Sequence, residues 1–124
     1  MEIHQSAEDY FETIYVLKQR NGSVRSIDIA NEMSFSKPTI SIAMKKFREN
    51  GFITMDKDGL IELTDKGLEI AINTYDKHNT IAKGLMLLGI DRETATADAC
   101  RIEHVISDES FAALKKLIAE KTAE

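Results

Sequence analysis

The stretch Asp98-Ala99-Cys100-Arg101-Ile102-Glu103-His104 holds the only cysteine of the chain, followed by a carboxylate at i+3 and an imidazole at i+4. On a helix these spacings put side chains on one face, one turn apart. Thiolate, carboxylate and imidazole gathered there suit a borderline-soft divalent metal. For a C-x-x-E-H met in isolation, a buried structural cysteine beside a solvated Glu-His pair is the plainer account. Nucleophilic chemistry, with Cys100 as thiol and His104 as base, fits poorly. The pair lies i, i+4 on one helix and cannot oppose a substrate between its members, and no glycine-rich anion site or third orienting group accompanies it. No enzyme and no organic substrate are expected.

Two other segments carry groups of the same chemistry. A helix over residues 6–20 has Ser6 as N-cap and Glu8 and Asp9 at the positive end of its dipole, with Phe11, Ile14, Tyr15 and Leu17 at helical spacing. Asn21-Gly22 stops it. On it Asp9 and Glu12 stand at i and i+3, so two carboxylates project together; a solvated acidic face is the ordinary alternative. A long helix capped by Thr64-Asp65 reaches about Leu88 and stops at Gly89. Its stripe Leu68, Ala71, Tyr75, His78, Ala82 and Leu85 points inward, so His78 is either a ligand or a satisfied core histidine.

Composition bounds what such a site serves. The 124 residues make one domain or two small halves, with 43% hydrophobic and 30% charged residues. No apolar run approaches the roughly 20 residues that span a bilayer, and the N-terminus lacks the pattern of a signal peptide. A single cysteine forms no internal disulfide, which points to a reducing, cytoplasmic setting. The net charge of −5 argues against indiscriminate nucleic-acid binding. Any nucleic-acid surface must therefore be a local basic patch.

Such a patch exists. Val24-Arg25 is a short strand or lead-in, and Ser26 caps a helix over residues 27–33 with Ile27, Ala30 and Met33 inward. After the turn Met33-Ser34-Phe35-Ser36, Ser36 caps a third helix over residues 37–50, with Lys37-Pro38 in the first turn, where proline loses no hydrogen bond. Helix, short turn, helix is the helix-turn-helix pattern. Ile40, Met44 and Phe47 form the third helix's buried stripe. The opposite face carries Pro38, Ile42, Lys45 and Glu49, flanked by Thr39, Ser41, Lys46 and Arg48. An isoleucine opposite the core stripe makes sense if Pro38 and Ile42 touch thymine methyls while Thr39 and Ser41 hydrogen-bond and lysines meet phosphates; packing on a neighbouring helix or subunit is the alternative. Residues 52–55 and 60–63 are β-prone runs around Asp56-Lys57-Asp58-Gly59, a hairpin signal that completes a winged helix. The DNA-contacting set is thus Arg25, Ser36, Lys37, Pro38, Thr39, Ser41, Ile42, Lys45, Lys46, Arg48 and Lys57. Asp91 or a neighbour opens the Cys100 helix. Ser107 caps a last helix with Phe111, Leu114, Leu117 and Ile118 on its apolar side.

A winged helix, a long helix holding His78 and a C-R-x-E-H helix, in this order, resemble the DtxR/MntR family of metal-dependent transcriptional repressors. The resemblance runs from Ala7-Glu8-Asp9-Tyr10-Phe11-Glu12, through Ser36-Lys37-Pro38-Thr39, to Cys100-Arg101-Ile102-Glu103-His104. It implies a mainly α fold: a winged helix-turn-helix DNA-binding domain over residues 1–63, then an all-helical dimerisation and metal-binding domain over residues 64–124. The implied ligands are Asp9, Glu12, His78, Cys100, Glu103 and His104. The pattern is a hybrid. Cys100 follows the iron branch, whereas Asp9 and Glu12 follow the manganese branch. Fe(II) or Mn(II) is the implied metal, and Zn(II) and Co(II) suit the same donors in vitro. The iron branch's ancillary site is expected to be absent or altered, since Thr96 and Ala82 or Lys83 stand where it needs histidine and glutamate. No counterpart of the SH3-like domain of some members is expected. The implied assembly is a homodimer on a near-palindromic double-stranded operator, with no membrane partner. The competing expectation is a metal-independent winged-helix regulator whose carboxylates are merely solvated.

Overall fold

A computed structural model describes residues 5–123. The elements run α1 (Gln5–Asn21), α2 (Ser26–Met33), α3 (Lys37–Glu49), β1 (Ile53–Met55), β2 (Ile61–Leu63), α4 (Asp65–Leu87), α5 (Arg92–Ile102) and α6 (Asp108–Thr122). The fold is mainly helical with one small antiparallel hairpin, as the sequence leads one to expect. Two compact units divide between Ile72 and Asn73, inside α4.

In the N-terminal unit, apolar faces of three helices and the hairpin close on one core. Phe11 and Ile14 of α1, Ile29 of α2, Ile40, Met44 and Phe47 of α3, and Phe52, Ile53 and Ile61 of the hairpin region are all buried. The Phe11 ring meets those of Phe47 at 4.8 Å and Phe52 at 5.1 Å, centroid to centroid. The turn between α2 and α3 reverses at Ser34, whose φ of 58° is left-handed. Phe35 N–H then closes on the Ala30 carbonyl. Ser36 caps α3, its hydroxyl accepting from Thr39 N–H at 3.3 Å.

The hairpin pairs Ile53 with Leu63 and Met55 with Ile61. At its tip Asp56 Oδ1 accepts from the N–H groups of Asp58 and Leu60, both at 2.9 Å, and Gly59 takes the positive φ that the turn requires. Val24 supplies a third pairing partner, accepting from Ile61 N–H at 2.8 Å. Thr64 caps α4, with Oγ1 accepting from Gly67 N–H and donating to the Gly51 carbonyl. A Cβ at Gly67 would run into the Phe52 carbonyl oxygen, so this first turn of α4 requires glycine.

The C-terminal unit holds the rest of α4 with α5 and α6. Ile81, Ala82 and Ala99 form its buried apolar centre, with Leu85, Ile102, Ile106 and Leu114 packed around it. Asp91 caps α5 and Ser107 caps α6. An open apolar groove of about 560 Å³ remains, its walls including Ile81, Leu85, Leu88, Leu114 and Leu117.

Several local expectations are corrected. The first helix already includes Gln5, so Ser6 lies inside it and is not its cap. The α2 cap is Arg25, whose N–H bonds to Asp28 Oδ2 at 2.9 Å, and Ser26 is the first helical residue. The inward residues of α2 are Ile29 and Ala30, with Met33 partly buried against the same core; Ile27 is 39% exposed. On α4, Tyr75 is exposed and Thr74 and Lys77 are buried in the stripe instead. Leu117 is likewise exposed, on the groove wall.

Candidate metal centre and DNA-reading face

The helix that carries Cys100 ends sooner than the spacing predicts. α5 stops at Ile102; Glu103 is its C-cap, still helical in φ and ψ, and His104 lies in the following turn. Glu103 N–H keeps the helical bond to the Ala99 carbonyl at 3.0 Å, whereas His104 N–H reaches only Arg101 at 3.4 Å, a tighter turn. The three groups therefore do not form one helix face. Instead Glu103 stands between two histidines. Its Oε2 lies 2.9 Å from His78 Nδ1, and its Oε1 lies 3.2 Å from His104 Nε2.

The donor atoms of His78, Cys100 and Glu103 all fall within 4.8 Å of one another. Bonds of about 2.0–2.3 Å to a single cation leave its ligands roughly 3–4.5 Å apart, so this spacing suits one ion. Glu103 is only 1% exposed, and its Oε1 accepts no hydrogen bond from the described residues. A buried carboxylate is costly unless paired or bound to a metal. The geometry and the donor chemistry fit a divalent cation. His78 is half-buried on α4 and Cys100 is exposed on α5. Asp9 and Glu12 are both half-buried on α1 of the N-terminal unit, one turn apart. Ala82, in the apolar centre, brings no ligand to an ancillary site.

Polar neighbours that the sequence did not reveal brace α4 beside His78. Lys77 is buried yet reaches Asp108 at 3.3 Å, and Asp76 takes Lys115 at 2.6 Å, so both clamp α4 to α6. No sequence signal marks them, because their partners lie about thirty to forty residues away. The Asp91 carboxyl is held below its ordinary range by hydrogen bonds from the Thr94 side chain and backbone, which secures the start of the Cys100 helix.

All eleven residues expected to meet DNA are exposed. Those from Ser36 to Arg48 cap or occupy α3. Arg25 also tethers the wing, its Nε donating to the Asp58 carbonyl at 3.4 Å. Lys57 stands at the wing tip between Asp56 and Asp58.

A winged helix-turn-helix unit joined to a helical unit that clusters thiol, carboxylate and imidazole donors defines a class, that of a DNA-binding protein with a metal centre. Comparison with known proteins makes the class specific. Residues 2–65 match the family described as iron dependent repressor, N-terminal DNA binding domain. Residues 64–122 match that described as iron dependent repressor, metal binding and dimerisation domain. A helix-turn-helix-type transcriptional regulator of Methanocaldococcus jannaschii is 36% identical over 113 residues, which cover 90% of each chain. The iron-dependent repressor IdeR of Mycobacterium tuberculosis is 31% identical over 122 residues, covering 98% of this chain and 53% of its own. The structure of the manganese regulator SloR superposes with a TM-score of 0.79 at 32% identity, over 96% of this chain and 55% of that one. The chain thus spans about half the length of IdeR and SloR. It belongs to the iron-dependent repressor family of metal-dependent transcriptional regulators, whose N-terminal part binds DNA and whose C-terminal part binds metal and dimerises.

Proposed function

We propose that this chain is a cytoplasmic repressor of metal-uptake genes, with Fe(II) or Mn(II) as co-repressor. The metal ligands in this reading are His78, Cys100, Glu103 and His104, together with Asp9 and Glu12, which rest on their i, i+3 spacing and the resemblance. The carrying observation is the buried Glu103 carboxylate set between two imidazoles with the Cys100 thiol beside it. The bound cation supplies positive charge to this buried carboxylate. Cys100 and His104 serve as ligands, and neither acts on a substrate. The functional boundary lies near Thr64, and the apolar groove of the C-terminal unit seats a second copy, since the family dimerises through this part.

The residues divide the work. His78 and Glu103 hold the metal from α4 and from the end of α5, and the Lys77–Asp108 and Asp76–Lys115 pairs keep α4 and α6 in place around them. Lys37, Lys45, Lys46 and Arg48 meet phosphates, and α3 enters the major groove. In the dimer, two such helices read half-sites about 34 Å apart. The operator-competent state binds metal more tightly, so by linkage metal favours DNA binding.

Anaerobic titration with Mn(II) and Fe(II) tests the ligand set. His78→Ala and Glu103→Gln should each weaken metal binding at least about tenfold while the helical circular-dichroism signal persists. Unchanged affinity in both variants would overturn the assignment.

A further inference from the structure

We propose that Ile42 is a base-reading residue of this regulator, recognising the 5-methyl group of a thymine in each operator half-site. This rests on the duplex-binding reading above and deepens it to one residue and one chemical group.

Ile42 is 72% exposed on the second turn of α3, on the side away from the buried Ile40, Met44 and Phe47. At this exposure Ile42 adds little to the core, and its place on the outward face of the recognition helix makes it available to a partner. Its surroundings say what it meets. Lys45 and Lys46, one turn on, are exposed cations suited to a polyanion. Pro38, one turn back, is its apolar neighbour on that face. So small an apolar surface between cations is too little for docking a protein, which needs a contiguous patch of hundreds of Å². It matches a single methyl beside a phosphate backbone. In the major groove only thymine presents a methyl group, so an apolar side chain there selects T·A.

The polar side chains nearby sharpen the assignment. The hydroxyls of Ser36 and Thr39 lie 2.8 Å apart, and Ser36 Oγ also accepts from Thr39 N–H. Ser36 is thereby held as the cap of α3 with Thr39 as its partner, while the exposed Ser41 stays available to a base edge, so polar and apolar contacts share the readout on this face.

The test uses the full chain with Mn(II). Binding duplexes are selected from a random library, and each thymine of the enriched operator is then replaced by deoxyuridine, which removes only the methyl. Loss of one methyl contact should cost about fourfold per half-site and over tenfold when both halves are changed. Ile42→Ser should lower operator affinity and abolish the effect of deoxyuridine at that one position. Indifference of the wild type to every replacement would overturn the proposal, as would an Ile42→Ser variant that keeps full affinity or full sensitivity there. Equal enrichment with metal and with chelator would instead overturn the metal-dependent reading and leave the methyl comparison to be read as stated. Enrichment of no duplex at all would overturn both.

Discussion

In the N-terminal unit the rings of Tyr10, Phe11, Phe47 and Phe52 touch one another, and aliphatic side chains from every element fill the space around them. In the C-terminal unit the buried apolar side chains are Ile81, Ala82, Ala95, Ala99, Phe111 and Ile118, a carboxylate is buried alongside histidines, and an apolar groove stays open. The first is held by its own packing. The second leaves an apolar surface open and holds its buried carboxylate between imidazoles; in the proposed reading a second copy covers that surface and a metal ion joins that carboxylate. A DNA-reading surface must keep its geometry whether or not a signal is present; a sensing unit must gain order from the signal.

The largest effect should come from breaking the first kind of stability. Phe11 is fully buried, and Phe11→Ala should lower unfolding free energy by about 4 kcal/mol in urea titration. A loss under about 1 kcal/mol would mean that the aromatic core does not hold this unit.

The second kind of stability is probed at Leu117, which is exposed on the groove wall. Leu117→Asp should leave the chain folded and shift sedimentation from dimer to monomer. A variant that stays dimeric would place the interface elsewhere.

The smallest effect concerns pH. The depressed Asp91 carboxyl favours the folded state above its ordinary value of 3.8, and this contribution fades as pH falls through the lower folded value. Amide protection at the start of α5 should therefore be unchanged from neutral pH to about pH 5 and decline only in stronger acid. An Asp91→Asn variant should flatten that acid limb. A decline beginning near neutrality would show that another group secures the helix start.

The N-terminal unit was largely legible in the sequence because punctuation marks its elements. Pro38 after Ser36 starts α3, Asn50-Gly51 ends it, and Asp58-Gly59 turns the hairpin. Phase within a helix was less legible. Ile27 and Ile29 of α2 are equally apolar, and only packing against α1 and α3 decides that Ile29 goes inside. Likewise Thr74 and Lys77 displace Tyr75 from the α4 stripe, and Lys77 is tolerated there because it reaches Asp108, an acceptor 31 residues away that no local pattern announces. At the metal centre the residue types were legible and the geometry was not. Periodicity extended α5 through His104, whereas the chain leaves the helix at Glu103 and turns its carboxylate between His78 and His104.

The central claim is that metal at this cluster controls DNA binding. Operator-fragment anisotropy under anaerobic conditions, in chelator and then at Mn(II) or Fe(II) about 100 times its dissociation constant, measures it directly. Linkage of about 2.7 kcal/mol predicts roughly a hundredfold tightening, absent in Glu103→Gln. Equal operator affinity with chelator and with metal would contradict the account and leave a metal-independent winged-helix regulator.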